Sequence, residues 1–275
     1  MVEISGISVP ASGSAGGYRR AMRADEVRPL LDRFSAEACR VVPLEALWAH
    51  GSLALGDFQP GRSDLDLVAL VTATITGPQR DELKRVHETL ISELPLADKL
   101  HCSYVPRSGL ADVSRTHVTW AQGELFDRTV SPVSRRELVL GGLCLFGPGP
   151  ADLIPAVTDR ELADYIRADL RDFWHPATAR PELWLRDIWV DLGLLTLARA
   201  TETLRQGRLI TKKEALDVLA GLAAPAGVLR DIYQRRYETA PPISPEWRAE
   251  RGLQARTYLR AQIERLLELP DRADS

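Results

Sequence analysis

The spacing of hydrophobic positions predicts alternating helices and strands in the first half of the chain. Apolar residues recur at helical intervals over residues 23–42 and 83–94, and His87 falls on the polar side of the second helix. Short apolar runs predict strands, whereas residues 107–135 are expected to be largely irregular. The predicted strands cover residues 44–50, 63–71, 99–105 and 143–148. Strands that alternate with helices in this order predict a domain built on a mixed sheet.

Beyond residue 150 the pattern is helical throughout. Thr-x-x-Glu capping boxes that begin at Thr158 and Thr211 each predict a helix start. Pro181 is suited to begin a long helix and Gly207 to end it. Helices with short connections of this kind predict an antiparallel bundle. The two remaining helix starts are predicted at Pro225 and at Ser244-Pro245.

These patterns predict an α+β protein with two domains. A mixed-sheet domain is expected over residues 23–155, followed by an all-α helical bundle over residues 156–275. Residues 1–22 are rich in Gly, Ser and Ala and are expected to form a mobile N-terminal segment.

Composition limits the class of protein. The chain is 45% hydrophobic and 27% charged, with a net charge of -3, so no basic field favours a nucleic-acid partner. It has no apolar run long enough to span a membrane and no signal-peptide pattern at its N-terminus. Cys39, Cys102 and Cys144 are far apart in apolar contexts and are expected to be reduced core residues. We therefore expect a cytoplasmic protein, and we expect it to be monomeric.

The most informative stretch is AHGSLALGDFQPGRSDLDLVAL, at residues 49–70. Side chains alternate along a strand, so Asp64 and Asp66 share one face while Leu65, Leu67 and Ala69 pack into the core on the other. Two ionised carboxylates this close repel each other, and Mg²⁺ relieves the repulsion while leaving coordination positions for phosphates. The alternative is an exposed strand start with two solvated aspartates.

The Gly51-Ser52 pair precedes these aspartates and is suited to phosphate binding. Glycine lets the backbone turn sharply and approach a ligand. Ser52 is expected to cap a short helical segment, whose N-terminus would attract a phosphate, and its hydroxyl is expected to contact the phosphate.

The order Gly-Ser, a spacer of about ten residues, then Asp-x-Asp resembles the signature of the polymerase-beta nucleotidyltransferase superfamily. The later stretch LGLLTLARATETLRQGRLITKKEALDVL is similar to the helical domain of bacterial aminoglycoside adenylyltransferases of the streptomycin/spectinomycin type. The resemblance implies Mg²⁺-dependent transfer of AMP from ATP to a hydroxyl of a small acceptor, and hence antibiotic resistance. It also implies that Arg199 and Lys212 hold the triphosphate and that Tyr237 lies near the nucleotide.

The sequence departs from this family in two respects. Where the third strand of the family carries a glutamate that acts as the base, this chain has His101, which we expect to face Asp64 and Asp66. The acidic residues that bind cationic acceptors in the family do not align with acidic residues at the same positions of this sequence. Asp187 and Asp191 are the nearest equivalents, each offset by about two residues, which is roughly half a helical turn. Trp184 shares a helix face with Asp187 and is a further candidate acceptor contact.

These departures leave two alternatives open. One is AMP transfer to a protein or an RNA. The other is a catalytically inactive nucleotide-binding module, because the family glutamate is replaced.

Overall fold

The computed structural model describes residues 15–268, and the chain divides into two compact units between Val157 and Thr158. The first unit contains the β-sheet and the second is entirely helical, so the predicted α+β class is confirmed. No helix among the described residues is long and apolar enough to cross a membrane.

The first unit is built on one six-stranded sheet with strand order β5-β4-β3-β2-β1-β6. The pair β2–β3 is parallel, and every other neighbouring pair is antiparallel. The elements in chain order are α1 (Ala15–Val41), β1 (Leu44–Ala49), α2 (Gly51–Leu55), β2 (Leu65–Val71), α3 (Gly77–Glu93), β3 (Leu100–Pro106), β4 (Thr116–Ala121), β5 (Glu124–Thr129), α4 (Pro132–Gly141) and β6 (Leu143–Phe146).

The expectation that residues 107–135 are largely irregular is wrong. Strands β4 and β5 form a hairpin in this segment, and α4 follows them. Gln122 and Gly123, which connect the strands, both have positive φ angles of 55° and 84°. Two consecutive residues of this conformation give the tight turn that suits a twisted hairpin. Polar residues such as His117, Thr119 and Arg128 within the strands hide the pattern from a hydrophobicity-based prediction.

The two faces of the central strands have different surroundings, as alternation predicts. Leu65, Leu67 and Ala69 of β2 are buried in a core with α1 and α3. The apolar set of β3, which is Leu100, Cys102 and Tyr104, packs into the same core. The opposite face therefore carries the alternate residues of both strands, including Asp66 and His101.

Two predictions about individual side chains in this unit are wrong. His87 is not on an exposed polar side, since only 1% of it is accessible. Its ring stacks on Trp120 with the centroids 4.6 Å apart, and its Nε2 lies 2.7 Å from the Tyr104 hydroxyl. Of the three free cysteines, only Cys102 is in the core, while Cys39 and Cys144 are exposed. The burial of these side chains depends on contacts with other helices and strands, which the local periodicity of the sequence does not reveal.

The second unit is a set of helices, and some of them begin at a side-chain cap. The capping boxes at Thr158 and Thr211 form as predicted, and Gly207 ends α7 with a φ of 69°. Pro181 begins only a short 3₁₀ segment, because the extended residue Arg186 separates this segment from the long helix. The elements are α5 (Asp159–Asp169), a π-helical segment (Leu170–Trp174), α6 (His175–Ala177), α7 (Asp187–Gln206), α8 (Lys212–Gly221), α9 (Ala226–Tyr237) and α10 (Pro245–Leu267).

Candidate active site

The structure brings Asp64, Asp66 and His101 together on one face of the sheet. Strands β2 and β3 pair in parallel with Asp66 directly opposite His101. The imidazole nitrogens lie 3.9 Å from Asp64 Oδ1 and 3.7 Å from Asp66 Oδ1. His101 is largely buried, with 14% of its side chain exposed, whereas Asp64 and Asp66 retain 48% and 33%. The expected proximity of His101 to both carboxylates is therefore confirmed, and the carboxylates remain accessible to a ligand.

Gly51 forms the wall of this site next to Asp66. It has a φ of 63°, in the left-handed region that favours glycine. A Cβ atom on Gly51 would lie 2.7 Å from Asp66 Oδ2, so the carboxylate would have to shift to admit a side chain. An alanine at residue 51 would therefore have two effects, strain in the backbone and displacement of the Asp66 carboxylate.

Ser52 does not cap α2, and that prediction is wrong. The helix begins one residue earlier, at Gly51, because the left-handed turn at Gly51 reverses the chain immediately after β1. His50 occupies the N-cap position and makes no side-chain capping bond. Ser52 lies inside the helix, where its carbonyl accepts a hydrogen bond from the backbone N–H of Asp57 over 2.9 Å. The half-buried Ser52 side chain retains its hydroxyl for other contacts.

His50 connects the turn at Gly51 to β2 and to α4. Its backbone N–H donates to the Asp66 carbonyl over 2.9 Å, and its Nδ1 lies 3.1 Å from Oε2 of the buried Glu137. Burial lowers the pKa of His50, but the hydrogen bond to Glu137 and the charges of Asp66 and Glu137 outweigh it, so the pKa is raised overall. Sequence reasoning missed this pair, because Glu137 is 87 residues away along the chain and carries no recognisable motif.

The carboxylates fit a magnesium ion by their chemistry. Among residues 15–268, no group of three or more His, Cys, Asp or Glu side chains is arranged to hold a metal. Mg²⁺, however, is commonly bound by one or two carboxylates, with water and substrate phosphates completing its shell. Asp64 and Asp66 supply two hard oxygen ligands on one face and so meet this requirement.

In the helical unit, Arg199 lies next to the start of α8. Its Nε donates to the carbonyl of Ile210 over 3.1 Å, two residues before Lys212, the first residue of α8. The two predicted phosphate ligands thus belong to neighbouring backbone segments. Tyr237 is the last residue of α9, and its ring is 5.2 Å from that of Tyr233.

The predicted acceptor contacts have different surroundings. Asp191 lies in a network of ion pairs, with Oδ1 2.5 Å from Arg235 Nη2 and Oδ2 3.2 Å from Arg235 Nε. Asp187 accepts a hydrogen bond from Arg251 over 2.7 Å but keeps 46% of its side chain exposed. Asp231, which sequence reasoning did not single out, joins the two pairs by accepting from both arginines.

Trp184 is fully buried, and its indole N–H donates to the Ala177 carbonyl over 2.9 Å. Its ring packs against Gly193 of α7, where an added Cβ would lie 2.8 Å from the indole. These contacts make Trp184 a core residue of the helical unit. The prediction that it contacts an acceptor is not supported, because neither its ring nor its N–H is available to a ligand.

Comparisons with known proteins identify the fold. No protein-family model matches the sequence, and no curated protein sequence matches it. Among solved structures, the chain is similar to the crystal structure of spectinomycin adenyltransferase AAD(9) from Enterococcus faecialis with ATP and spectinomycin. The TM-score is 0.62, and the match covers 90% of this chain and 99% of that chain at 14% sequence identity. This similarity shows a nucleotidyltransferase-like fold.

Proposed function

We propose that this chain is a Mg²⁺-dependent nucleotidyltransferase that transfers AMP from ATP to a hydroxyl group of a small acceptor. The observation that carries the proposal is the convergence of Asp64 and Asp66 on His101, with Gly51 directly against the Asp66 carboxylate. The nucleotidyltransferase-like fold supports the same function, and AAD(9), a protein with a similar structure, was crystallised with ATP.

Asp64 and Asp66 are the residues that would hold magnesium. When bound, the ion neutralises phosphate charge and stabilises the attacking and leaving oxygens. The chain contributes two carboxylates on one strand face, and their partial exposure leaves them open to a nucleotide. Gly51 allows Asp66 to lie against the turn, and the backbone bond from His50 to the Asp66 carbonyl fixes the turn to β2.

Each unit contains candidate phosphate-binding residues. We assign Gly51 and Ser52 to phosphate oxygens next to the carboxylates, and Arg199 and Lys212 to the triphosphate. Lys212 is in the first turn of α8, where the helix dipole disfavours a cation. A bound phosphate would offset that cost, which supports the assignment. Tyr237 is assigned to the nucleotide on the basis of the sequence resemblance.

His101 is the proposed general base. The acceptor oxygen forms a bond to the α-phosphorus, while the bond from that phosphorus to the bridging oxygen of pyrophosphate breaks. Pyrophosphate leaves with the electron pair of the broken bond, and a neutral imidazole nitrogen of His101 takes the acceptor proton. The position of His101 beside both carboxylates supports this role, since the attacking hydroxyl must approach the same phosphate that they approach.

An aminoglycoside-type antibiotic is the first acceptor to test, because the similar AAD(9) structure contains spectinomycin. Asp187 is the better candidate for contact with an ammonium group, since nearly half of its side chain is exposed. Asp191 is engaged by Arg235 through both oxygens, so it would have to exchange an internal ion pair for an acceptor contact.

The test is incubation of the full chain with ATP, Mg²⁺ and each of streptomycin and spectinomycin, followed by mass spectrometry of the acceptor. Adenylylated antibiotic supports the proposal, and Asp66→Asn should abolish the product. Asp81→Asn is the matched control, because Asp81 is an exposed acid on α3, which packs on the opposite face of the sheet.

The same incubation with protein and RNA fractions tests the alternative acceptors. AMP on a macromolecule would keep the nucleotidyltransferase assignment but replace the small acceptor. No AMP transfer to any acceptor, together with intact ATP binding, would favour the inactive nucleotide-binding module.

A further inference from the structure

Arg236 of α9 is a buried arginine whose main hydrogen-bonding edge has no partner within the described part of the chain. Only 9% of the residue is accessible. Its Nε and Nη2 atoms are buried and make no hydrogen bond to any described residue. Its guanidinium carbon lies 5.8 Å from the centre of the Tyr237 ring, a contact that gives Nε and Nη2 no hydrogen-bond partner.

Arg235, the preceding residue, shows how the Nε and Nη2 atoms of an arginine can pair with a carboxylate. Arg235 uses the same two atoms, Nε and Nη2, to hold both oxygens of Asp191 side by side. The Nη1 and Nη2 atoms of the fully buried Arg251 donate to Asp231 and Asp187 over 2.8 and 2.7 Å, whereas its Nε makes no hydrogen bond to a described residue. Both arginines thus pair with carboxylates through two of their nitrogen atoms, whereas neither Nε nor Nη2 of Arg236 has such a partner among the described residues.

A buried guanidinium edge without hydrogen-bond partners is costly. Desolvation of an ion without a compensating hydrogen bond costs several kcal/mol even after relaxation. Asp191 is near enough for long-range attraction, but both of its oxygens already accept hydrogen bonds from Arg235. Arg236 is therefore a buried cation whose Nε and Nη2 donors point in parallel, as binding of an oxyanion requires. No described side chain accepts hydrogen bonds from these two atoms.

We propose that the Nε/Nη2 edge of Arg236 is a binding site for an oxyanion, a phosphate or carboxylate group of a small ligand. Two parallel N–H donors match two oxygens of such a group in a bidentate arrangement. The inference concerns binding alone, so it holds whether or not the chain transfers AMP.

The test is thermal unfolding of the full chain in chelator with inorganic phosphate, pyrophosphate or acetate, at an ionic strength held constant with sodium chloride. For wild type we expect a rise in Tm with at least one of these anions beyond the sodium chloride reference. For Arg236→Gln we expect the apparent Kd for that anion to weaken by roughly tenfold or more. The anion that protects identifies the source: phosphate or pyrophosphate indicates a phosphorylated ligand, and acetate indicates a carboxylate.

Arg230→Gln is the matched control, because Arg230 is an exposed arginine on the same helix and the change in net charge is identical. It should keep the anion protection of wild type. Equal protection of Arg236→Gln and Arg230→Gln, or no protection of wild type by any of the three anions, would overturn the proposal.

The ligand-free proteins give a second readout. Arg236→Gln removes an unpaired buried charge, so its Tm without anion should equal or exceed that of wild type. Arg236→Lys keeps the charge but not the parallel donors, and should bind the anion less tightly than wild type. It serves as the test variant if Arg236→Gln does not fold, and wild-type affinity in Arg236→Lys would then contradict the proposed bidentate site.

Discussion

Gly51 and Asp66 lie so close together that an added Cβ at residue 51 would be 2.7 Å from Asp66 Oδ2. Gly51→Ala should therefore displace the carboxylate as well as strain the backbone at a φ of 63°. Misplacement of a reacting group by about 1 Å can cost roughly a hundredfold in rate, so we expect at least that loss of AMP transfer. Steady-state turnover and the free energy of unfolding should be measured on the same preparation.

Gly56→Ala is the control for this substitution. Gly56 also has a positive φ, of 79°, but an added Cβ would meet nothing within 4 Å. Both variants should lose stability by about 1–3 kcal/mol from backbone strain. Only Gly51→Ala should lose turnover. Equal activity in the two variants would mean that Gly51 serves the turn alone.

Removal of the metal should weaken nucleotide binding. Asp64 and Asp66 bring two negative charges to the place where the triphosphate is proposed to bind. Without a divalent cation these charges repel the phosphates, and with it they attract them through the ion. Titration calorimetry should give a lower Kd for ATP with Mg²⁺ than with chelator. The same Kd under both conditions would contradict the proposed metal site.

The core of the first unit could be predicted because its pattern is local. Strand alternation alone assigns Leu65, Leu67 and Ala69 to the core and Asp66 to the other face, and the structure confirms this. The position of His101 beside the carboxylates required only the further expectation that β2 and β3 are neighbours.

The surroundings of the site could not be predicted, because they depend on contacts between distant segments. Glu137 reaches His50 from α4, across 87 residues of chain. Asp191 has the sequence context of an acceptor ligand, but Arg235 from another helix engages it. No short-range sequence pattern reveals such pairs. The sequence-based prediction therefore overestimated how accessible the acidic side chains of the helical unit are to a ligand.

Substitution of Asp191 distinguishes whether this residue stabilises the fold or contacts an acceptor. Burial raises the pKa of Asp191, and the hydrogen bonds from Arg235 oppose this shift. Asp191→Ala removes two hydrogen bonds from Arg235, which keeps Asp231 as a partner, so we expect about 1.5–3 kcal/mol of lost stability. An acceptor ligand would instead raise KM with little change in unfolding free energy. Asp187→Ala, at a more exposed carboxylate, is the comparison.

Replacement of His101 distinguishes a base from a packing residue. His101→Ala should lower turnover by roughly two to four orders of magnitude while ATP affinity is kept. His101→Glu should partly restore turnover, because a carboxylate at the same position can also accept the proton. If the wild type fails with every acceptor and His101→Glu gains activity, the histidine is not the base and the inactive-module alternative is favoured.

The burial of His87 should make stability depend on pH. Its ring contacts those of Phe34 and Trp120, and burial lowers the pKa of His87 from its usual value to about 3. The unfolded chain protonates this histidine near its ordinary pKa of about 6.5, whereas the folded chain does not. As the pH falls from about 6.5 toward 3, the unfolded state binds more protons, and the free energy of unfolding falls by up to about 1.4 kcal/mol per pH unit.

His87→Phe should flatten this dependence between pH 6.5 and 4.5, because phenylalanine keeps a stacked ring but does not titrate. It also removes the hydrogen bond to Tyr104, which Tyr104→Phe removes while keeping the imidazole. Tyr104→Phe should therefore keep the steep slope of wild type, although its stability is lower at every pH. Urea unfolding at several pH values gives both slopes. A His87→Phe slope as steep as that of wild type would show that His87 already takes up its proton in the folded state.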